Sequence, residues 1–185
     1  MKDALVPGED KERRLEAWLL AYGDAVLRTC FVYLADRALA EDALQDTFLK
    51  VWRHMDSFQG QNASSPKTWI MRIAINTCKD YRRSAWLRHV DMSQIIEEMP
   101  QAVRAPDEDS RALFLDVMRL PAKLKQVILL YYFHHMTLAE TAQALHISRQ
   151  AVQYRLKKAY KLLGQLPERS EEDEPEHPHP GLPER

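Results

Sequence analysis

The sequence predicts an all-α protein of two small helical domains joined by a flexible linker, the second a helix-turn-helix. Three observations carry this. Apolar residues recur three or four apart in most windows, the spacing that places them on one helix face. Glycine is scarce, five in 185 residues. The periodic pattern breaks over residues 91–109, where Pro100 and Pro106 stand among acidic residues.

The first helical pattern runs through Leu15, Trp18, Leu19, Tyr22, Val26, Cys30 and Tyr33 on one face. A second runs through Ala40, Ala43, Leu44, Thr47, Phe48, Val51 and Met55, with Asp42, Gln45, Asp46, Leu49 and Arg53 on its other side. A polar loop over residues 57–65 ends it. Ser65 is a good N-cap for a third helix, and Pro66 fits the first helical position, where no amide hydrogen is needed. This helix can run to about Arg88. On it Trp69, Arg72, Asn76, Lys79 and Arg83 fall within roughly 80° of arc, opposite Ile70, Ala74, Thr77 and Tyr81. A cationic stripe with an aromatic at one end suits unpaired DNA, whose bases stack while its backbone is neutralised. Trp69 is equally a candidate for the core.

Residues 91–110 read as an extended, mobile linker. Helical spacing resumes at Ala112, Leu113, Val117 and Leu120, and Pro121 opens a further helix with Leu124, Val127, Ile128 and Tyr131 inward. Thr137, Leu138, Ala139 and Glu140 form a capping box, in which hydroxyl and carboxylate satisfy each other's free backbone amides. The short helix it opens ends near Leu145. His146 and Ile147 make a tight turn, and Ser148 can cap the next helix. A short helix, a brief turn and a longer basic helix are the parts of a DNA-binding helix-turn-helix. His146 stands where such turns often carry glycine. It reads as a turn residue, as do His134 and His135.

In the last helix Val152, Leu156, Ala159 and Leu163 share a narrow arc and must pack inward. Gln150, Gln153, Tyr154, Lys157 and Lys161 lie opposite, with Arg149 at the leading end and Arg155 and Lys158 on a flank. Arg and Gln can bond base edges in a major groove. Lysines and flanking arginines suit phosphates, which position without specifying. Residues 165–185, rich in Pro and Glu, read as a disordered tail.

The net charge of −1 is unhelpful to a DNA-binding protein, but its distribution is uneven. Lys67, Arg72, Lys79, Arg82, Arg83 and Arg88 face Asp80 alone over residues 67–88. Lys123, Lys125, Arg149, Arg155, Lys157, Lys158 and Lys161 face Glu140 alone over residues 120–164. Two basic patches separated by acid suggest two places to meet phosphate. Cys30 and Cys78 lack metal spacing and read as buried core thiols in a reducing cytoplasm. The polar, charged start predicts no secretory leader. The longest strongly apolar run, 127–133, is far short of the roughly 20 residues that span a bilayer.

Residues 40–52, with Ala40, Glu41, Asp42, Ala43, Leu44, Gln45, Asp46 and Trp52, resemble the polymerase-binding helix of extracytoplasmic-function sigma factors. Residues 68–83, from Thr68 and Trp69 to Tyr81, Arg82 and Arg83, resemble the same family's promoter-melting segment. Residues 120–159, opening on Leu120 and Pro121, resemble its region 4. The resemblance implies region 2 over residues 11–90, a linker over 91–110, region 4 over 111–164 and a tail over 165–185. It implies core RNA polymerase on Asp42, Gln45, Asp46 and Leu49. It also implies a melted -10 element on Gln61, Asn62, Trp69, Arg72, Asn76, Lys79, Arg82 and Arg83. The duplex -35 element falls to Arg149, Gln150, Gln153, Tyr154, Arg155, Lys157 and Lys158. The loop over residues 59–65 would take a base flipped from the -10 element, at a cost in unstacking that its pocket must recover. The family further implies an anti-sigma factor between the modules, and a linker threading toward the RNA exit channel. No cofactor, metal, small-molecule substrate or catalysis is expected, and the cytoplasm is the expected compartment.

Two other classes fit these residues less well. A repressor using a helix-turn-helix alone would have no use for the polar second and basic third helices in this order. A metal-dependent nuclease would need carboxylates or histidines at ligand spacing in the basic regions, and none stand there. His177 and His179, between prolines, read as tail.

Overall fold

The computed structural model describes residues 7–58, 65–84 and 108–164. Seven α-helices occur among them in chain order, with no strand. The first module holds α1 (Pro7–Leu34), α2 (Arg37–His54), a 3-10 turn (Met55–Ser57) and α3 (Pro66–Ser84). The second holds α4 (Glu108–Arg119), α5 (Ala122–Ile128), a π-helical turn (Leu129–Phe133), α6 (Leu138–Leu145) and α7 (Arg149–Leu163). The expected all-α fold with a helix-turn-helix second is what forms. Residues 59–64, 85–107 and 165–185 lie outside the described residues, and with them Gln61, Asn62, Arg88, most of the expected linker and the whole expected tail.

The first module is a three-helix bundle. Asp36 caps α2, its carboxylate accepting from the Leu39 amide at 2.9 Å. Ser65 caps α3, accepting from the Thr68 amide at 3.2 Å, and Pro66 takes the first helical position as its sequence required. Val26, Cys30, Ala40, Ala43, Val51, Ile70, Ala74 and Ile75 fill the core with no exposed surface. Free Cys30 and Cys78 sit within it, and hydrogen bonding to Cys78, then burial, holds the Cys30 thiol well above its ordinary range. Leu19, expected on the inner face, is 46% exposed. The buried seam of α1 starts nearer its middle, and the N-terminal half is only half-covered. Over Asp10–Leu34 this helix is long and apolar enough to cross a membrane. Its C-terminal end, from Thr29 to Leu34, is buried on every side. A helix buried all round needs neighbours all round, and α2 and α3 supply only some of them.

The second module supplies the rest. α4 begins at Glu108, inside the expected linker, and carries Arg119 in its last turn. α5 opens on Pro121, whose carbonyl accepts from the Leu124 amide at 2.8 Å. The helix then widens into the π turn, the His134 amide reaching the Leu129 carbonyl at 3.0 Å. Such turns re-aim the side chains that follow. Here His134, expected as a plain turn residue, is 4% exposed, and its Nε2 lies 2.9 Å from the Thr29 hydroxyl of α1. α6 packs along α3. The two modules are therefore in contact.

Burial, with Arg28, Lys67 and His135 nearby, lowers the His134 pKa from 6.5 to about 3. Below 6.5 an unfolded chain takes up a proton that the native chain refuses. Native stability is thus full above about pH 6.5 and falls as pH drops toward 3, by roughly 1.4 kcal/mol per unit for one such group. The urea midpoint should drop between pH 7.5 and 5.5, and His134→Gln, which cannot take the proton, should lose clearly less over that interval.

Candidate nucleic-acid interface

The helix-turn-helix assembles as its residues dictate. The Thr137 hydroxyl accepts from the Glu140 amide at 3.1 Å, and Glu140 Oε2 accepts from the Thr137 amide at 3.0 Å. His146 closes α6 at φ 55°, ψ 49°. This is the left-handed region that glycine enters without a Cβ penalty, and the Ile147 amide reaches back to the Ala142 carbonyl at 3.0 Å. Ser148 caps α7, accepting from the Ala151 amide at 3.1 Å. Gly164 ends it at φ 66°.

Val152, Leu156 and Ala159 of α7 are buried and Leu163 half-buried, so the inward arc is the predicted one. Arg149, Gln150, Tyr154, Lys157, Lys158 and Lys161 are exposed, while Gln153 and Arg155 are half-buried at the edges. An unobstructed row of amide, guanidinium and ammonium groups on a capped helix can enter a groove and bond both bases and phosphates.

On α3, Asn76 and Arg83 are exposed and Arg72 and Lys79 half-buried, forming the expected stripe. Arg83 pairs with Asp80 at 2.6 Å, and Lys50 stands 3.6 Å from the same carboxylate. Arg82 departs from the stripe. It lies close enough to Lys125 of α5 that burial and then Arg82 lower the Lys125 pKa to about 8. Trp69 is half-buried. Its ring centroid lies 5.1 Å from Phe58 and 6.1 Å from Trp18, and Arg14 lies over the Trp18 ring at 5.0 Å. The aromatic cluster thus flanks residues 59–64. Phe58, one residue before that loop, and Trp18, forty residues upstream, were not foreseen beside Trp69. Single-helix periodicity carries no signal of their meeting.

On α2, Asp42, Gln45 and Leu49 are exposed. Asp46 is half-buried and accepts from the Tyr81 hydroxyl at 2.9 Å, so it ties α2 to α3. Glu140 also does more than its motif states. Its Oε1 accepts from the Ser65 hydroxyl at 3.1 Å and the Thr68 hydroxyl at 3.2 Å.

Residues 18–88 match the family description Sigma-70 region 2, and residues 117–163 match Sigma-70, region 4. The ECF RNA polymerase sigma factor SigL of Mycobacterium tuberculosis is 33% identical over 133 residues, 69% of this chain and 74% of that protein. This chain belongs to the extracytoplasmic-function sigma factors. SigW of Bacillus subtilis, another such factor, is 28% identical over 149 residues, covering 73% of this chain and 79% of its own. In fold, the sigma factor is similar to RpoE of Bartonella quintana, solved in complex with the anti-sigma factor NepR. The TM-score there is 0.64, at 20% identity over 82% of this chain and 94% of the other. CnrH, solved with the cytosolic domain of CnrY, gives a TM-score of 0.62 at 22% identity, over 83% and 86%. The sigma factor directs RNA polymerase to promoters, through a region 2 and a region 4 in that order. Its family consists of initiation factors.

His146→Gly relieves the crowded left-handed Cβ of the turn. The sigma factor should gain about 0.5–1 kcal/mol, read as a higher denaturation midpoint, with promoter preference unchanged.

Proposed function

We propose that α7 reads the -35 element, that the α3 stripe holds the melted -10 strand, and that α2 meets core polymerase. The observation that carries this is the division of α7. Its seam of Val152, Leu156 and Ala159 is buried, and behind it Arg149, Gln150, Gln153, Tyr154, Arg155, Lys157 and Lys158 face outward or line the edge. On α3, Arg72, Asn76, Lys79 and Arg83 supply cations and an amide, with Trp69 at the loop end. The Trp69 cluster supports a role in shaping the loop of Gln61 and Asn62 alongside any stacking. Arg82 is exposed beside Lys125. Residues 11–90 and 111–164 act as the two regions, with 91–110 between them and 165–185 after. The protein works in the cytoplasm and carries out no catalysis of its own. Its restraint by an anti-sigma factor is supported by relatives such as RpoE and CnrH, whose structures are complexes with NepR and CnrY.

In the first test, Gln153→Ala should cost about 1–3 kcal/mol at one or two positions of a randomised upstream element and relax preference there. Lys158→Ala should weaken all promoters alike and lower the salt dependence, as a phosphate contact does. Indistinguishable preference profiles would overturn the reading face.

For polymerase, Asp42→Lys with Leu49→Ala should reduce core affinity at least tenfold, by the reversed charge and the lost apolar contact. Circular dichroism should be unchanged, since both positions are exposed. Asp46→Lys should also loosen the α2–α3 pair, and is the poorer test. Unchanged affinity in the double variant excludes this surface.

A further inference from the structure

The ends of α1 and α3 meet α5 at a cluster whose charges are all of one sign. Arg82, in the last turn of α3, is exposed, and Lys125 of α5 is half-buried beside it. Tyr33, near the end of α1, lies close to Arg82 and to Gln126. It is only 9% exposed, and its hydroxyl has no hydrogen-bond partner. None of the ion pairs among the described residues includes Arg82 or Lys125. Two cations side by side at a partly buried surface repel each other, and the orphaned hydroxyl adds its own cost. Burial and then Arg82 hold the Lys125 pKa at about 8, as befits an ammonium with no carboxylate beside it to keep its proton.

We propose that this cluster binds a small phosphoryl dianion, inorganic phosphate or a phosphate monoester, on Arg82, Lys125, the Tyr33 hydroxyl and the Gln126 side-chain amide. Two cations match two negative charges. The guanidinium can grip two oxygens at once, and the ammonium acts as a compact point charge. The Tyr33 hydroxyl donates to a further oxygen and so loses its orphan status, with the Gln126 amide as a fourth donor. A DNA backbone phosphate is a poorer match, since it carries a single charge and two of its oxygens are esterified. Where Arg82 also meets the -10 strand, as proposed above, the two ligands compete for it.

The test is a titration of the full chain with inorganic phosphate at constant ionic strength, chloride making the balance, followed by amide chemical shifts. Tyr33, Arg82, Lys125 and Gln126 should move together along one saturating curve. Lys125→Gln should weaken that affinity about tenfold and Tyr33→Phe about threefold, the sizes of a charge-assisted and a neutral hydrogen bond. Lys123→Gln, exposed two residues earlier on α5, should leave it unchanged. Lys125→Gln should at the same time raise the thermal midpoint of the phosphate-free protein, because it removes the repulsion on Arg82. A lysine that served packing alone would lower it. Affinity should also fall as pH rises past about 8, where the Lys125 ammonium is lost, and Lys125→Gln should not show that fall. The other donors do not titrate there, since guanidinium groups stay charged and burial pushes the Tyr33 hydroxyl well above its ordinary value.

Two further probes fix the ligand class. Dimethyl phosphate, a diester like the DNA backbone, should bind about tenfold more weakly than inorganic phosphate. Equal or tighter binding of the diester makes this a backbone contact and overturns the proposal. Glycerol phosphate separates the two sources, a monoester bound at least as tightly as the free ion naming the ester and a weaker one the ion. Shifts that follow α7 instead, and vanish in Lys158→Gln, put phosphate on the DNA-reading face and overturn the site. So does the lack of any saturating shift, or a Lys125→Gln variant that binds phosphate as well as the unaltered protein. If Lys125→Gln fails to fold by circular dichroism, Tyr33→Phe and the pH dependence of the unaltered protein decide.

Discussion

Glu140 joins two helix starts that belong to different modules. One oxygen completes the capping box of α6 and the other accepts from Ser65 and Thr68, the cap and first turn of α3. Helix starts are where unsatisfied amides collect, and a carboxylate there works on the dipole as well as on the hydrogen bonds. With both starts pinned to one side chain, the orientation of the helix-turn-helix in the docked form is set relative to α3. The apolar contact below it, from Thr29 to Leu34 on α1, then has one register in which to close.

α3 has almost no idle surface. Ile70, Ala74 and Thr77 face the bundle core, and Met71, Ile75 and Cys78 extend the buried arc to roughly half the helix. What remains open holds the stripe of Arg72, Asn76, Lys79 and Arg83, with Asp80 and Arg82 beside it. This division explains a charge pattern that looks odd for a protein of net charge −1. The cations of α3 stand on the half of the helix that reaches solvent. Asp46 adds a mechanical link. By accepting from Tyr81 it fixes the rotation of α3 against α2, so the helix proposed to meet polymerase and the helix proposed to hold melted DNA move as one.

Local chemistry was legible in the sequence where a motif is closed within a few residues. The Thr137–Glu140 box, the Ser65–Pro66 start, the Ser148 cap and the inward arc of α7 all formed as their residues require. His146, in a position where glycine is frequent, was legible as a turn residue, and its φ is 55°. The partners of a buried face were not legible. Periodicity says that Tyr33 turns inward, but it gives no sign of Thr29 or of a second module that reaches it. Nor does it distinguish a surface histidine from His134, whose burial depends on a π turn just before it and on α1 more than a hundred residues away. Arg82 sits in a basic run and looked like one more phosphate contact. Its neighbour Lys125 comes from the other module, which no spacing within α3 encodes. Gln61 and Asn62 lie outside the described residues, so the loop keeps only its flanking rings.

Those rings have a spectroscopic consequence. The four tryptophans of the chain are Trp18, Trp52, Trp69 and Trp86, and none lies in the second module, whose aromatic residues are tyrosine and phenylalanine. Trp18 and Trp69 share one cluster with Phe58. Emission excited at the tryptophan edge therefore carries no signal from a residue of the second module, while far-ultraviolet ellipticity counts the helices of both. A single cooperative unit would trace the same curve by the two signals. A chain whose halves come apart before they melt would trace two, and the gap between them would measure how tightly one half props up the other.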